Sequence, residues 1–127
     1  MDPADDFVVA RVVHLIVRGS THEALSDLSK HYNIKPPKVS VGTVKRHKRN
    51  ALAVYVQAKR TIYASKSEFL YNPFVMLHEF YHHLRASTDG KRGTEKHADA
   101  FARKAIETYN RYVKSRLATG QTAARMI

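Results

Sequence analysis

The segment His78-Glu79-Phe80-Tyr81-His82 is an HExxH motif. On a helix, residues four apart lie on one face, one turn above the other. Two imidazoles at that spacing can hold one zinc ion. Glu79 lies about 100° around from His78. Its carboxylate can therefore reach a water at the metal without being a ligand. A carboxylate so placed acts as general base and then passes the proton to a leaving amine. The plainer alternative is an amphipathic helix that happens to expose His and Glu.

A catalytic zinc ion usually has three protein ligands and a water. Glu95 is the leading candidate for the third ligand. It follows His82 past a loop holding Gly90 and Gly93, and it opens the last helix. Asp99 lies four residues later on the same face. It would accept the N–H of a ligating histidine and so fix that ring's tautomer. His97, about 200° around from Glu95, and Asp99 itself are the rival third ligands. A glutamate in a first turn also suits the positive end of the helix dipole, which is the plainer reading of Glu95. His83 points off the ligand face and reads as a surface histidine or a support for the ligands. His14, His22, His31 and His47 have no metal-ligand spacing.

These residues need elements to position them. Asn72-Pro73 reads as a helix cap followed by proline at the first helical position. That helix is expected to run to about Ser87, with Phe74, Leu77 and Tyr81 at helical spacing. Asp89-Gly90 and Gly93 mark a loop, and Thr94 can cap the last helix. The apolar face of the last helix is Ala98, Phe101, Ala102, Ala105, Ile106, Tyr109 and Val113. Upstream, Asp5 or Asp6 can cap a first helix whose face is Phe7, Val8, Val12, Leu15 and Ile16, with Gly19 ending it. Ser20 and Glu23 form a capping-box pattern for a second helix with Ala24, Leu25, Leu28 and Tyr32 inward. Asn33 to Pro37 is a break.

Three β-rich runs follow, at 38–45, 51–56 and 61–64. Lys45–Asn50 reads as the turn between the first two, and Lys59-Arg60 as a tight turn into the third. That spells a small, mostly antiparallel meander. The pattern fades from Ala118, so 118–127 reads as a flexible tail. The order ααβββαα over residues 1–127 is an α+β chain of one domain.

The chain has 127 residues, with 22 Lys and Arg against 11 Asp and Glu, a net charge of +11. Between Ile34 and Leu70 nine basic residues face one acid, giving +8 in that stretch. An acidic partner or nucleic acid could meet Lys45, Arg46, Lys48 and Arg49, unless these simply solvate a hairpin tip. No Cys is present, so any metal must be held by His and carboxylates. No apolar run approaches the roughly 18–20 residues of a membrane span. The acidic start Met1-Asp2-Pro3-Ala4-Asp5-Asp6 lacks the basic region of a signal peptide. The expectation is a cytoplasmic protein without membrane contact.

HExxH followed by Glu95-Lys96-His97-Ala98-Asp99 resembles the gluzincin zinc metallopeptidases, which pair an HExxH helix with an ExxxD helix. At this length the chain is similar to the single-domain minigluzincins. More distantly, Thr94–Ala102 resembles the ImmA/IrrE-type metallopeptidases, from whose pattern His97 and Asp99 depart. The resemblance implies a zincin-like fold and Zn2+ on His78, His82 and Glu95. It further implies Glu79 as base, Asp99 supporting a ligand, and a sheet edge that holds an extended peptide. Many gluzincins stabilise the oxyanion from a second subdomain, for which this chain has no room; Tyr63, Tyr109 and Arg103 are the available candidates. The sequence thus points to a zinc endopeptidase acting on peptides or proteins. The alternative is a zincin-fold regulatory or nucleic-acid-binding protein.

Overall fold

The computed structural model describes residues 3–43 and 51–118. Val44, the Lys45–Asn50 turn with its cluster of cations, and residues 119–127 of the expected tail lie outside the described residues. The elements are helices α1 (Pro3–Val17) and α2 (Thr21–His31), strands β1 (Lys38–Val41), β2 (Ala53–Val56) and β3 (Thr61–Ala64), and helices α3 (Pro73–Thr88) and α4 (Glu95–Ala118). The expected order of elements and the α+β class are observed. Among the described residues, no helix is long and apolar enough to cross a membrane.

The helix ends show how the chain is folded locally. Gly19, at φ 95°, closes α1. Its amide bonds Ile16 O at 3.0 Å and the Ser20 amide bonds Leu15 O at 2.8 Å, the paired bonds of a Schellman stop. Asn33, at φ 58°, closes α2 with the same pair of bonds, to Lys30 O and Ser29 O. Asn72 caps α3 as expected, its Oδ1 accepting from the Val75 amide at 3.1 Å ahead of Pro73. Two expected caps are not made. Asp5 and Asp6 lie inside the first turn of α1, which begins at Pro3. Ser20 precedes α2 without a side-chain cap bond, and Glu23 pairs with Arg11 of α1 at 3.5 Å instead. The neighbouring guanidinium also holds Asp27, so it ties α1 to α2.

α3 sits at the centre of the molecule. It packs against α4 and α1 on one side and against β2 and β3 on the other. The core is built from Val12, Leu15 and Ile16 of α1, Leu25 and Leu28 of α2, Tyr55 and Ile62 of the sheet, Met76, Leu77 and Phe80 of α3, and Ala102 and Ala105 of α4. Burying such side chains is the main favourable term in folding. Phe7, expected on the inner face of α1, is instead half-exposed and meets Tyr112 of α4 at 6.1 Å between ring centroids.

The sheet is mixed, in the order β1-β3-β2. β2 and β3 are antiparallel, with Ala53 opposite Ala64 and Val56 opposite Thr61. A single 3₁₀ turn at Gln57–Lys59 and Arg60 at φ 49° make the tight connection. β1 lies parallel to β3, with Lys38 opposite Thr61 and Val41 opposite Ala64. The expected β1–β2 hairpin is therefore not formed, and the sheet is not a meander. The reason lies in how α2 delivers the chain. Lys35 O is bonded by His83 of α3 at 2.8 Å, so β1 enters the sheet at the end where β3 begins. Among the described residues no strand pairs with the other edge of β2, and β2 packs beside the HExxH helix.

Candidate metal centre

His78 and His82 project from α3 on one face, their ring centroids 5.2 Å apart. Glu95, the first residue of α4, comes to meet them. Thr94 sets that start: its Oγ1 accepts from the His97 amide at 3.1 Å and its carbonyl from the Ala98 amide at 3.0 Å. One ligand atom from each of His78, His82 and Glu95 lies within 4.8 Å of the others. Glu95 Oε2 is 2.5 Å from His78 Nε2, and Oε1 is 3.4 Å from His82 Nε2. The edge of a tetrahedron with zinc–ligand bonds of normal length is roughly 3.3 Å; the Glu95–His82 pair matches it, whereas Glu95 and His78 stand at the distance of a direct hydrogen bond, which a cation would replace.

The far side of each ring is held. His78 Nδ1 donates to Asp99 Oδ1 at 2.8 Å, and His82 Nδ1 donates to the Arg92 carbonyl at 2.7 Å. These bonds place a proton on each Nδ1, and at a neutral imidazole they leave Nε2 as a lone pair. His82 is fully buried, and its Nε2 has no hydrogen-bond partner. Burial pushes its pKa down, with the Arg92 carbonyl acting the other way. It is therefore neutral near pH 7, the form that binds metals. A lone pair facing a carboxylate oxygen is repulsive unless a cation lies between them. The donor set thus fits a metal ion.

Glu79 lies beside this cluster, 7% exposed, with Oε2 3.7 Å from His78 Nε2. Its Oε1 is buried without a partner. Burial pushes its pKa up to about 7, against the opposing pull of His78, Arg92 and the Tyr55 amide. His78, Glu79 and Glu95 line a cleft of about 400 Å³ with Ala51, Ala53, Val54 and Arg92. Carboxylates, an open edge strand and a guanidinium therefore share one concave site.

The rival ligands stand elsewhere. His97 Nδ1 bonds the Thr94 hydroxyl at 2.8 Å on the exposed start of α4. Asp99 supports His78 rather than joining the three ligands. His83 is not on the surface: it is 1% exposed, with Nδ1 2.9 Å from the Tyr55 hydroxyl and Nε2 on Lys35 O. Its place off the ligand face is as expected, and its role is to clamp β2 to α3. Tyr63, Tyr109 and Arg103 do not line the cleft, whereas Arg92 does. Sequence spacing did not single out Arg92, because its place depends on the path of the α3–α4 loop. Gly90 and Gly93, both at positive φ, were the available signal for that path. Comparison of the chain with protein-family models, with curated proteins and with solved structures finds no match.

Proposed function

We propose that this protein is a zinc-dependent metallopeptidase of zincin-like architecture. His78, His82 and Glu95 hold the metal, and Glu79 is the general base. The observation that carries the reading is the buried, unpartnered Nε2 of His82 facing Glu95 across a cleft that Glu79 also lines. Two imidazoles and one carboxylate suit zinc best among common ions.

When bound, zinc supplies a Lewis acid that polarises the scissile carbonyl and acidifies water. Glu79 takes one proton as the water oxygen bonds to the carbonyl carbon. It then hands that proton to the amine nitrogen as the C–N bond breaks. One water is consumed, and a carboxylate and an ammonium group are released, the water's second proton ending on the amine. A carboxyl held near neutrality by burial suits both halves of this exchange. Asp99 and the Arg92 carbonyl keep the two imidazoles oriented. Ala53, on the open edge of β2, offers backbone groups to a peptide in extended form. The substrate is a peptide or protein segment, and the cations at Lys45, Arg46, Lys48 and Arg49 favour acidic ones.

Hydrolysis of an unfolded protein substrate by the zinc-loaded chain, followed by mass spectrometry, tests the reading. Glu79→Gln should keep its metal and lose activity by roughly 10²–10⁴-fold. Equal cleavage by Glu79→Gln, or no cleavage by the zinc-loaded wild type, would overturn it.

A further inference from the structure

The free edge of β2 is only half open. Leu52 O accepts from the Ser65 amide at 2.9 Å. In the antiparallel register Leu52, Val54 and Val56 therefore turn their backbone groups toward β3. Ala53 and Tyr55 turn theirs outward. At Tyr55 the outward carbonyl is already engaged: it accepts from Arg92 Nη1 at 2.7 Å. Farther along, Gln57 Nε2 donates to Gly90 O at 3.1 Å. The α3–α4 loop thus covers the edge from Tyr55 onward and, among the described residues, leaves the Ala53 end for an incoming strand. At that boundary stands the Arg92 guanidinium, lining the same cleft as His78, Glu79 and Glu95.

We propose that Arg92 closes one end of the peptide site and binds a carboxylate of the substrate there. The proposal rests on the peptidase reading. A peptide that pairs at Ala53 meets Arg92 at the next outward residue and cannot continue along the edge. A guanidinium has five N–H donors, and Tyr55 O takes one. Its planar fork matches a carboxylate with two parallel bonds. A chain running parallel to β2 would present its terminal carboxylate to Arg92. One running antiparallel would present an Asp or Glu side chain.

The test is binding of three short N-acetylated peptides to the zinc-loaded full chain carrying Glu79→Gln, which cannot turn them over. One peptide has a free C-terminal carboxylate, one is its neutral C-terminal amide, and one is an amide with an internal Glu. Adding Arg92→Gln should weaken the preferred carboxylate peptide by roughly ten- to a hundredfold and leave the neutral amide unchanged. Preference for the free terminus assigns the terminal carboxylate as ligand, and preference for the Glu peptide assigns the side chain. Arg92→Lys keeps the charge without the fork. It should fall between the two, and it keeps the test readable if Arg92→Gln does not fold. Equal weakening of all three peptides, no weakening, or no binding of any peptide overturns the proposal. If the carboxylate preference appears but the wild type cleaves none of the three, the peptidase reading falls and the carboxylate site stands.

Discussion

At the residue scale, the site is a set of acceptors gathered around a gap. His82 Nε2 and Glu79 Oε1 are both buried without a partner beside Glu95, and each of these two atoms costs free energy there without a cation or a donor. The support from behind is therefore as important as the ligands. Asp99→Ala removes the partner of His78 Nδ1, so metal affinity should fall by roughly 10–100-fold, measured by competition with a coloured chelator. Unchanged affinity would show that Asp99 does not orient the ring. This part of the site was legible in the sequence. A spacing of four on a helix fixes which side chains share a face, so His78 with His82, and Glu95 with Asp99, follow from position alone. His83 and Arg92 were not legible. Burial of His83 depends on Tyr55 and Lys35, which are distant in sequence, and the place of Arg92 depends on a loop.

Among the elements, the α3–α4 loop decides most. It carries the carbonyl that holds His82 and the guanidinium that ends the open edge of β2. Asp89 shapes its start, accepting from Arg85 Nε and from the Lys91 amide, both at 2.9 Å. Gly93 shapes its end: at φ 78°, an added Cβ would sit 2.7 Å from the Tyr81 ring and 3.1 Å from Arg85. Gly90 has a similar φ of 76° but open space around it. Gly93→Ala should therefore destabilise the fold by roughly 1–3 kcal/mol and also weaken metal binding, because it displaces Arg92 O. Gly90→Ala should cost only the backbone strain, about 1 kcal/mol. Thermal melts and metal titrations of the two variants check this, and equal effects would contradict it. The element order was readable from periodicity and caps. The sheet order was not, because alternation marks strands but not their neighbours. The link from Gly42 to Leu52 is long enough to let β1 pair with β3 instead of β2.

For the whole molecule, pH bears on stability through a partly buried histidine. His14 of α1 has a buried Nδ1 without a partner and faces Tyr109 of α4 at 6.2 Å. Burial, with the Arg18 charge adding to it, pushes its pKa below the ordinary 6.5. The folded state thus prefers the neutral ring. Its contribution to stability is complete above about pH 6.5 and is lost as pH falls through the lowered folded value. Glu79, pushed up, acts in the opposite sense, so the informative quantity is a difference between variants. His14→Gln should gain stability relative to wild type as pH drops from 7 to 5, in melts of chelator-treated protein. A constant difference across that range would contradict the assignment.

In the function proposed above, His78, His82 and Glu95 hold one metal ion. The most direct measurement is the zinc content of untagged protein purified without chelators, for the wild type and for Glu95→Ala. One zinc per chain is expected in the wild type, and a loss of zinc in the variant. No zinc in the wild type after zinc is added back, or full retention in Glu95→Ala, would contradict it.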